Sequence, residues 1–293
     1  MQVVSTKADL KKALAAASAG KYGASSAHGE KLDKRVLVMT MGALHSGHLA
    51  LVKEAQKLAT QVVLSIYVNP LQFGPEEDYE KYPRQLEADL QLLSEQEVDV
   101  VFAPTDEEIY PREPQVRIDP GPAAKLFEGK TRPGHFAGVL QVVQKVLQLT
   151  QPDYAFFGEK DAQQLALVKA MVEDLNIPVE IKAVPIARAG DGVALSSRNS
   201  YLSPAARTEA TLLYRALQAG AGLAQQGEKA PVIAQAATAV LQNSSLIKID
   251  YVEVVEDSTF LPAAADFQGA ARIILAAWVE DTRLIDNLAI EIK

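Results

Sequence analysis

Two histidines and two glycines fall within one short stretch, Met39-Thr40-Met41-Gly42-Ala43-Leu44-His45-Ser46-Gly47-His48. The apolar run Val36-Leu37-Val38 just before it reads as a short buried strand. After it, Leu51, Val52, Ala55, Leu58 and Ala59 recur at helical spacing across residues 49–60. The stretch is therefore a strand-to-helix turn. A helix start offers unpaired backbone N–H groups and the positive end of the helix dipole, both suited to a phosphate. Gly42 and Gly47 let a backbone approach that phosphate closely, and two imidazoles add donors that follow developing charge. Neither G-x-G-x-x-G nor G-x-x-x-x-G-K-[ST] is present here, so the two common phosphate loops are excluded. A histidine metal pair is the rival reading. It has no third His, no Cys and no H-E-x-x-H pattern beside it, so no metal ligand is expected. A pair of surface histidines is the other rival, weakened because two of only four histidines share this turn.

Three more clusters carry polar chemistry. Asn69-Pro70-Leu71-Gln72-Phe73-Gly74 follows the apolar run ending at Tyr67-Val68. The amides of Asn69 and Gln72 both donate and accept, as a hydroxyl- and carboxylate-bearing substrate requires, and an Asx-capped turn explains them equally well. Residues 75–84, polar, aromatic and charged, read as a mobile cover that would keep water from a reactive intermediate. Gly158-Glu159-Lys160-Asp161 opens another helix, with Lys160 placed for a phosphate and Asp161 for ribose hydroxyls. Asp161 and Gln164 also fit a capping-box-like pair. Ala194-Leu195-Ser196-Ser197-Arg198-Asn199 sets two hydroxyls and a guanidinium on one loop, donors that match a triphosphate, although such a triplet is in isolation more often a helix cap. His135, in Arg132-Pro133-Gly134-His135-Phe136, reads as a carboxylate contact or as a structural group at a helix start. His28 reads as a solvated loop histidine.

The elements that must position these residues alternate through the first two thirds of the chain. Strand patterns at 36–39, 61–67, 98–103, 154–157 and 179–184 are separated by helical patterns at 49–60, 82–96, 136–150 and 161–175. That alternation predicts an α/β fold, a Rossmann-like parallel sheet with helices on both faces. Ligands in such sheets bind beyond the carboxyl ends of the strands, where the turns at 40–48, 69–74 and 158–161 would converge. Residues 13–30 read as a helix tail and a flexible loop. After Arg198 the pattern changes. Alanine-rich helices at 204–226 and 231–241 precede strands at 247–255, 271–279 and 282–292 that have no helices between them. The expected domains are 1–186 for nucleotide and acid binding and 187–293 as a small α+β lid.

Composition narrows the function classes. The chain has 293 residues, 48% of them hydrophobic, enough for two cores. Its net charge of −8 disfavours nucleic acid as a partner, so an anionic substrate needs a local cluster of donors. With no cysteine there is no disulfide, cysteine metal site or thiol nucleophile. No apolar run reaches the roughly 18 residues of a membrane span, and residues 1–10 lack a signal-peptide core. A cytoplasmic enzyme without a membrane partner is expected.

His45-Ser46-Gly47-His48 resembles the His-x-Gly-His signature of the nucleotidyltransferase superfamily, which includes class I aminoacyl-tRNA synthetases. With VNPLQFGPEEDYEKYPR, EGKTRPGHFAGV, FGEKDAQQL and ALSSRNSYL in order over residues 35 to 205, the chain is similar to the pantoate–β-alanine ligase family. The resemblance implies a Rossmann-like domain, a small domain closing over ATP, and a homodimer. It implies that ATP and pantoate form pantoyl adenylate and pyrophosphate, after which β-alanine attacks to release pantothenate and AMP, a step in coenzyme A biosynthesis. ATP contacts are implied for Met41, Gly42, His45, Gly47, His48, Gly158, Lys160, Asp161, Ala187, Leu195, Ser196, Ser197 and Arg198. His45, His48, Lys160 and Arg198 are the implied catalytic residues. His48 is at the family's proton-donor position, yet support of the α-phosphate suits it better, since pyrophosphate scarcely needs a proton to leave. Gln72, Gln164 and Asn69 are implied at the pantoate and β-alanine site. Mg²⁺ would accompany ATP through its phosphates. The sequence departs from the family at Glu76 and Glu77 in the cover, at Ala187 and Leu195 beside adenine, and in a long 13–30 segment. The runners-up are an adenylyl- or cytidylyltransferase acting on a phosphorylated substrate, disfavoured by chain length and by the paired amides Gln72 and Gln164, and a nucleotide-binding protein without catalysis.

Overall fold

The computed structural model describes residues 1–21, 32–75, 77 and 79–293, with the side chains of 18–21, 32 and 33 left aside. His28 and Glu76 lie outside the described residues. The elements run β1 (Gln2–Val4), α1 (Lys7–Lys21), β2 (Leu32–Thr40), α2 (Ser46–Leu58), β3 (Ala59–Ile66), α3 (Leu86–Leu93), β4 (Val100–Phe102) and α4 (Asp106–Ile109). They continue with α5 (Phe127–Thr131), α6 (His135–Thr150), β5 (Tyr154–Gly158), α7 (Ala162–Asp174) and β6 (Glu180–Val184). The rest are α8 (Pro204–Glu209), α9 (Thr211–Gln225), α10 (Ala230–Leu241), β7 (Ile247–Glu256), β8 (Gly269–Val279) and β9 (Thr282–Ile292). Contacts divide the chain into two compact units, Met1–Gly158 with Leu167–Val184, and Glu159–Ala166 with Pro185–Lys293.

The first unit is the expected parallel α/β sheet, in the order β1-β4-β3-β2-β5-β6. Its central strands are apolar on both faces: Val36, Leu37, Val38, Val100, Val101 and Phe102 are all fully buried. A strand covered on both faces loses the in–out alternation of a half-exposed one, which is why these read as unbroken apolar runs. The chain order reverses direction between β2 and β5, so the carboxyl ends of these two strands are neighbours at the switch point. The His45–His48 turn leaves β2, and the Lys160 turn leaves β5.

β1 is an addition that the sequence pattern does not show. It is three residues long, half exposed, and pairs with β4 at the sheet edge. The helix expected over 82–96 begins only at Leu86. Pro83 bars the first turn, because the ring removes a donor and the residue before it is pushed out of helical space. Arg84 instead donates to the carbonyls of Tyr79 and Tyr82 and stacks 4.8 Å over the Tyr79 ring.

The second unit packs α9 and α10 on an antiparallel sheet in the order β7-β8-β9. Leu213, Leu217, Ile233, Leu241, Ile273 and Leu275 form its core. The single helix expected over 204–226 is two helices meeting at Ala210. The Thr208 and Thr211 hydroxyls donate back to the carbonyls of Pro204 and Thr208 at this break, competing with the regular ladder. Among the described residues no helix is long and apolar enough to cross a membrane.

Candidate active site

α2 begins with an unusual cap made of the two motif histidines. His45 is the N-cap, with extended backbone, and its Nδ1 accepts from the Gly47 N–H at 3.1 Å. His48, at the third helical position, accepts the His45 N–H on its own Nδ1 at 3.3 Å. The two side chains form a reciprocal capping box with ring centroids 4.1 Å apart. An Nδ1 that accepts a backbone N–H carries no proton, so each neutral ring is protonated on Nε2. The turn thus sets two Nε2–H donors at the positive end of α2.

The backbone before the cap is braced from below. Gly42 has φ +82° and Ala43 φ +49°, both left-handed. A Cβ on Gly42 would stand 3.0 Å from Asp89 Oδ2 and 3.2 Å from Ile66 Cγ2, so a side chain there is strained by conformation and crowded by its neighbours. Asp89, on α3 and fully buried, accepts the N–H groups of Ala43 at 3.0 Å and Leu44 at 2.8 Å. Thr40 accepts the Gly42 N–H and donates to the Ser65 carbonyl. Asp89→Ala leaves one buried and one part-buried donor unpaired, a buried one costing about 1–3 kcal/mol. We expect this variant to melt earlier and to form adenylate about tenfold more slowly or worse, with Asp89→Asn between it and the parent. Thermal unfolding and pyrophosphate release measured side by side check this, and unchanged turnover in Asp89→Ala would refute the bracing role.

The second turn meets the first. Gln72 Nε2 donates to Met41 Sδ at 2.9 Å. Asn69 caps a short 3₁₀ turn over Pro70–Gln72 and is 1% exposed. Its Nδ2 donates to Gln72 Oε1 and to the Gly138 carbonyl, both at 3.1 Å. Its Oδ1 accepts from Tyr110 Oη at 3.0 Å and from the Leu71 N–H at 3.4 Å. Both hydrogens and both lone-pair directions of Asn69 are thereby engaged within the protein, whereas these bonds use one donor and one acceptor of Gln72. Burial, reinforced by the Asp106 carboxylate, raises the Tyr110 hydroxyl above its ordinary pKa and keeps it a donor to Asn69.

His135 has the structural role. Its Nε2 lies 3.1 Å from Arg132 Nη1, and its Nδ1 lies 2.8 Å from the Gln72 carbonyl. A guanidinium only donates, so Nε2 accepts and Nδ1–H donates, locking the turn to the start of α6. Arg132 also grips Glu77 through two bonds of 2.7 and 2.6 Å. Burial opposes ionisation of Glu77, but Arg132 outweighs it and holds the carboxyl below its usual range. The expected cover is therefore pinned here, and Phe73 packs its ring against those of Tyr79 and Tyr82.

Within the second unit, Lys160 and Asp161 form a short pair, Nζ to Oδ1 3.3 Å. Gln164 follows on the first turn of α7, half buried. Residues 187–195 form a tight hairpin in which the Leu195 N–H donates to the Ala187 carbonyl at 2.9 Å, bringing these two positions together. Ser196 caps the 3₁₀ turn Ser197–Tyr201 by accepting the Arg198 N–H at 3.3 Å. Arg188 anchors the hairpin through Asp286 at 2.6 and 2.9 Å and stacks 3.9 Å over the Tyr214 ring. Asn287, on β9, reaches the carbonyls of Glu159 and Lys160. Asp89, Tyr110, Arg188 and Asn287 shape these clusters, and none of them stands out in the sequence.

A parallel sheet whose strand-order switch carries a helix start capped by imidazoles is the arrangement of an α/β enzyme that handles nucleotides. The chain belongs to the pantoate–beta-alanine ligase family, whose model matches residues 2–289. It is 50% identical over 258 residues to the pantothenate synthetase of Salinispora arenicola, covering 87% of this chain and 90% of that one. The crystal structure of pantothenate synthetase from Thermus thermophilus superposes with a TM-score of 0.87 at 45% identity, covering 98% of this chain and 99% of that one. The pantoate–beta-alanine ligase of Francisella tularensis, solved with β-γ ATP and β-alanine, superposes with a TM-score of 0.75 at 34% identity, over 98% of this chain and 97% of that one.

Proposed function

We propose that this chain condenses pantoate with β-alanine through a pantoyl adenylate, with each motif in the role its chemistry suits. The pantoate carboxylate attacks the α-phosphorus of ATP, and the bond to the bridging oxygen breaks, releasing pyrophosphate. The β-alanine amine then attacks the acyl carbon, AMP leaves, and the amine loses a proton as the amide forms. A free carboxylate is a poor acyl donor and the mixed anhydride a good one, so the protein's task is to orient reactants and stabilise charge on phosphate.

The observation that carries this reading is the histidine capping box beside Gln72. His45 and His48 direct Nε2–H donors at phosphate. A doubly protonated His48 would set an Nδ1–H against the His45 N–H, so hydrogen bonding to the α-phosphate, rather than proton donation, is its role. Gln72 and Gln164 bind the pantoate hydroxyls and carboxylate, with Gln72 also serving β-alanine. The resemblance sets Asn69 among the substrate contacts, and its filled hydrogen bonds favour a role behind Gln72. Met41, Gly42 and Gly47 line the phosphate turn. Gly158, Lys160 and Asp161 take ribose and phosphate, Ala187 and Leu195 adenine, and Ser196, Ser197 and Arg198 the triphosphate. Mg²⁺ would accompany ATP, bound mainly through the phosphate oxygens, as a hard cation that keeps part of its water shell is usually held. Residues 1–186 and 187–293 divide the work as nucleotide- and pantoate-binding part and lid, with 159–166 grouped structurally with the latter. A cytoplasmic homodimer is the working form that the family resemblance supports.

The test is pyrophosphate release with pantoate, with and without β-alanine. One equivalent without β-alanine and sustained turnover with it support the ligase. Turnover indifferent to β-alanine supports a nucleotidyltransferase, and ATP binding without release supports a binding protein. Within the same assay, Gln72→Ala should raise the KM for pantoate and slow adenylation, at about 1–3 kcal/mol for unpaired partners. Calorimetric ATP titration should be nearly unchanged, and a collapse of ATP binding would assign Gln72 to the wrong ligand.

A further inference from the structure

The turn that carries Lys160 is held by a strand 127 residues further along the chain. Asn287, on β9 and 2% exposed, donates to two consecutive carbonyls, Glu159 O at 2.9 Å and Lys160 O at 3.0 Å. Its Oδ1 accepts from Arg272 Nη1 at 2.7 Å. A guanidinium only donates and a carbonyl only accepts, so the orientation of this amide is settled by its partners. Arg272 is itself fixed by Asp257 at 2.9 Å and lies 3.8 Å from Glu159 Oε2. The preceding residue, Asp286, receives the fork of Arg188 from the 187–195 hairpin. Two adjacent residues of one strand therefore hold both the Glu159–Lys160 turn and the 187–195 hairpin of the second unit.

We infer that Asn287, oriented by Arg272, is a positioning residue for Lys160 in adenylate formation, an inference that rests on the reading of Lys160 as an ATP contact. The peptide unit is planar, so fixing a carbonyl oxygen fixes the plane it belongs to. Glu159 O and Lys160 O belong to the two planes that meet at the Lys160 Cα. With both held, the Cα–Cβ direction of Lys160 is set and only the side-chain torsions remain to be ordered when phosphate binds. Lysine has a long stem with much rotamer freedom, so a defined root matters more for it than for a short side chain. Loss of the amide also removes an acceptor from buried Arg272, so a stability cost accompanies the loss of aim and a control must separate the two.

A double-mutant cycle tests this. Asn287→Ala removes the amide. Asn287→Asp keeps its volume and the Arg272 partner but turns an oxygen toward the two carbonyls, and it serves should the alanine variant not fold. Either is expected to lose about 10- to 100-fold in kcat/KM for ATP in pantoate-dependent pyrophosphate release. In a Lys160→Ala background the same substitution should cost less than about threefold. Ile290→Ala, on the same strand and packed on the second core, supplies a matched loss of melting temperature and should keep its kcat/KM for ATP. An equal loss in both backgrounds, a loss that Ile290→Ala reproduces, or wild-type activity in the Asn287 variants overturns the inference. If Lys160→Ala alone leaves adenylation intact, the reading of Lys160 as an ATP contact fails instead.

Discussion

His48→Ala is expected to slow adenylate formation by about a hundredfold or more while the protein stays folded, and Lys160→Ala by a similar factor. Loss of one preorganised donor to developing charge typically costs about 2.7–4 kcal/mol. In the proposed role His48 would supply such a donor, because its Nδ1 is occupied by the His45 N–H and its proton is held on Nε2. The substitution also removes half of the capping box, worth about 0.5–2 kcal/mol of helix stability. That leaves α2 in place, since Leu51, Val52 and Ala55 bury its inner face. Rapid-quench measurement of the first half-reaction, with circular dichroism as the check on folding, decides the matter. Turnover near the parent value with either substitution would remove that residue from the phosphate site. Arg198→Ala offers a complementary reading of the same chemistry. It should damage adenylation far more than the reaction of preformed pantoyl adenylate with β-alanine, where no triphosphate is present.

Much of this arrangement is written locally in the chain. Val36–Val38 and Tyr154–Phe157 are recognisable because buried parallel strands are apolar throughout, and β7 to β9 because three apolar-rich strand patterns follow one another without helices between them. His45 and His48 are legible because a glycine-bracketed helix start is a short-range pattern. What escapes is whatever depends on distant partners. Asp89 sits in a helix with Glu87 nearby and reads as a solvated charge, yet it is fully buried beneath a turn 45 residues away. Asn287 reads as an ordinary strand residue until Glu159 and Lys160 are found against it. The grouping of Glu159–Ala166 with the second unit has the same origin. Those residues follow β5 in the chain, while the hydrogen bonds that hold them come from β9.

The Asn69–Gln72 pair shows why residue type alone overstates the number of substrate contacts. Two amides three residues apart look equivalent in sequence. In the structure one is consumed by Tyr110, Gly138 and Leu71, and the other retains hydrogen-bonding capacity. A saturated amide is a scaffold, because exchanging any of its bonds for a substrate bond leaves a buried partner unpaired.

Gly138→Ala should then be among the most damaging substitutions in the chain, although no ligand need touch residue 138. A Cβ there would stand 2.0 Å from the Leu71 carbonyl oxygen, 2.3 Å from its carbon and 2.7 Å from the Gln72 nitrogen. These are backbone atoms, so no side-chain rotation relieves the clash, and either α6 or the Pro70–Gln72 turn must move. Overpacking of this kind costs about 1–3 kcal/mol, and the movement falls on the segment that aims Gln72. A misplacement of about 1 Å can cost a hundredfold in rate. The expected result is a lowered melting temperature, a raised KM for pantoate and adenylation reduced by about a hundredfold, with ATP binding much less affected. Gly222→Ala is the contrast. It lies within α9, a Cβ there meets nothing within 4 Å, and the alanine should be neutral or stabilising by up to about 1 kcal/mol. Melting curves and pantoate titrations of the two variants settle the point, and a Gly138→Ala enzyme with the parent's KM for pantoate would show that the 70–72 turn does not aim Gln72.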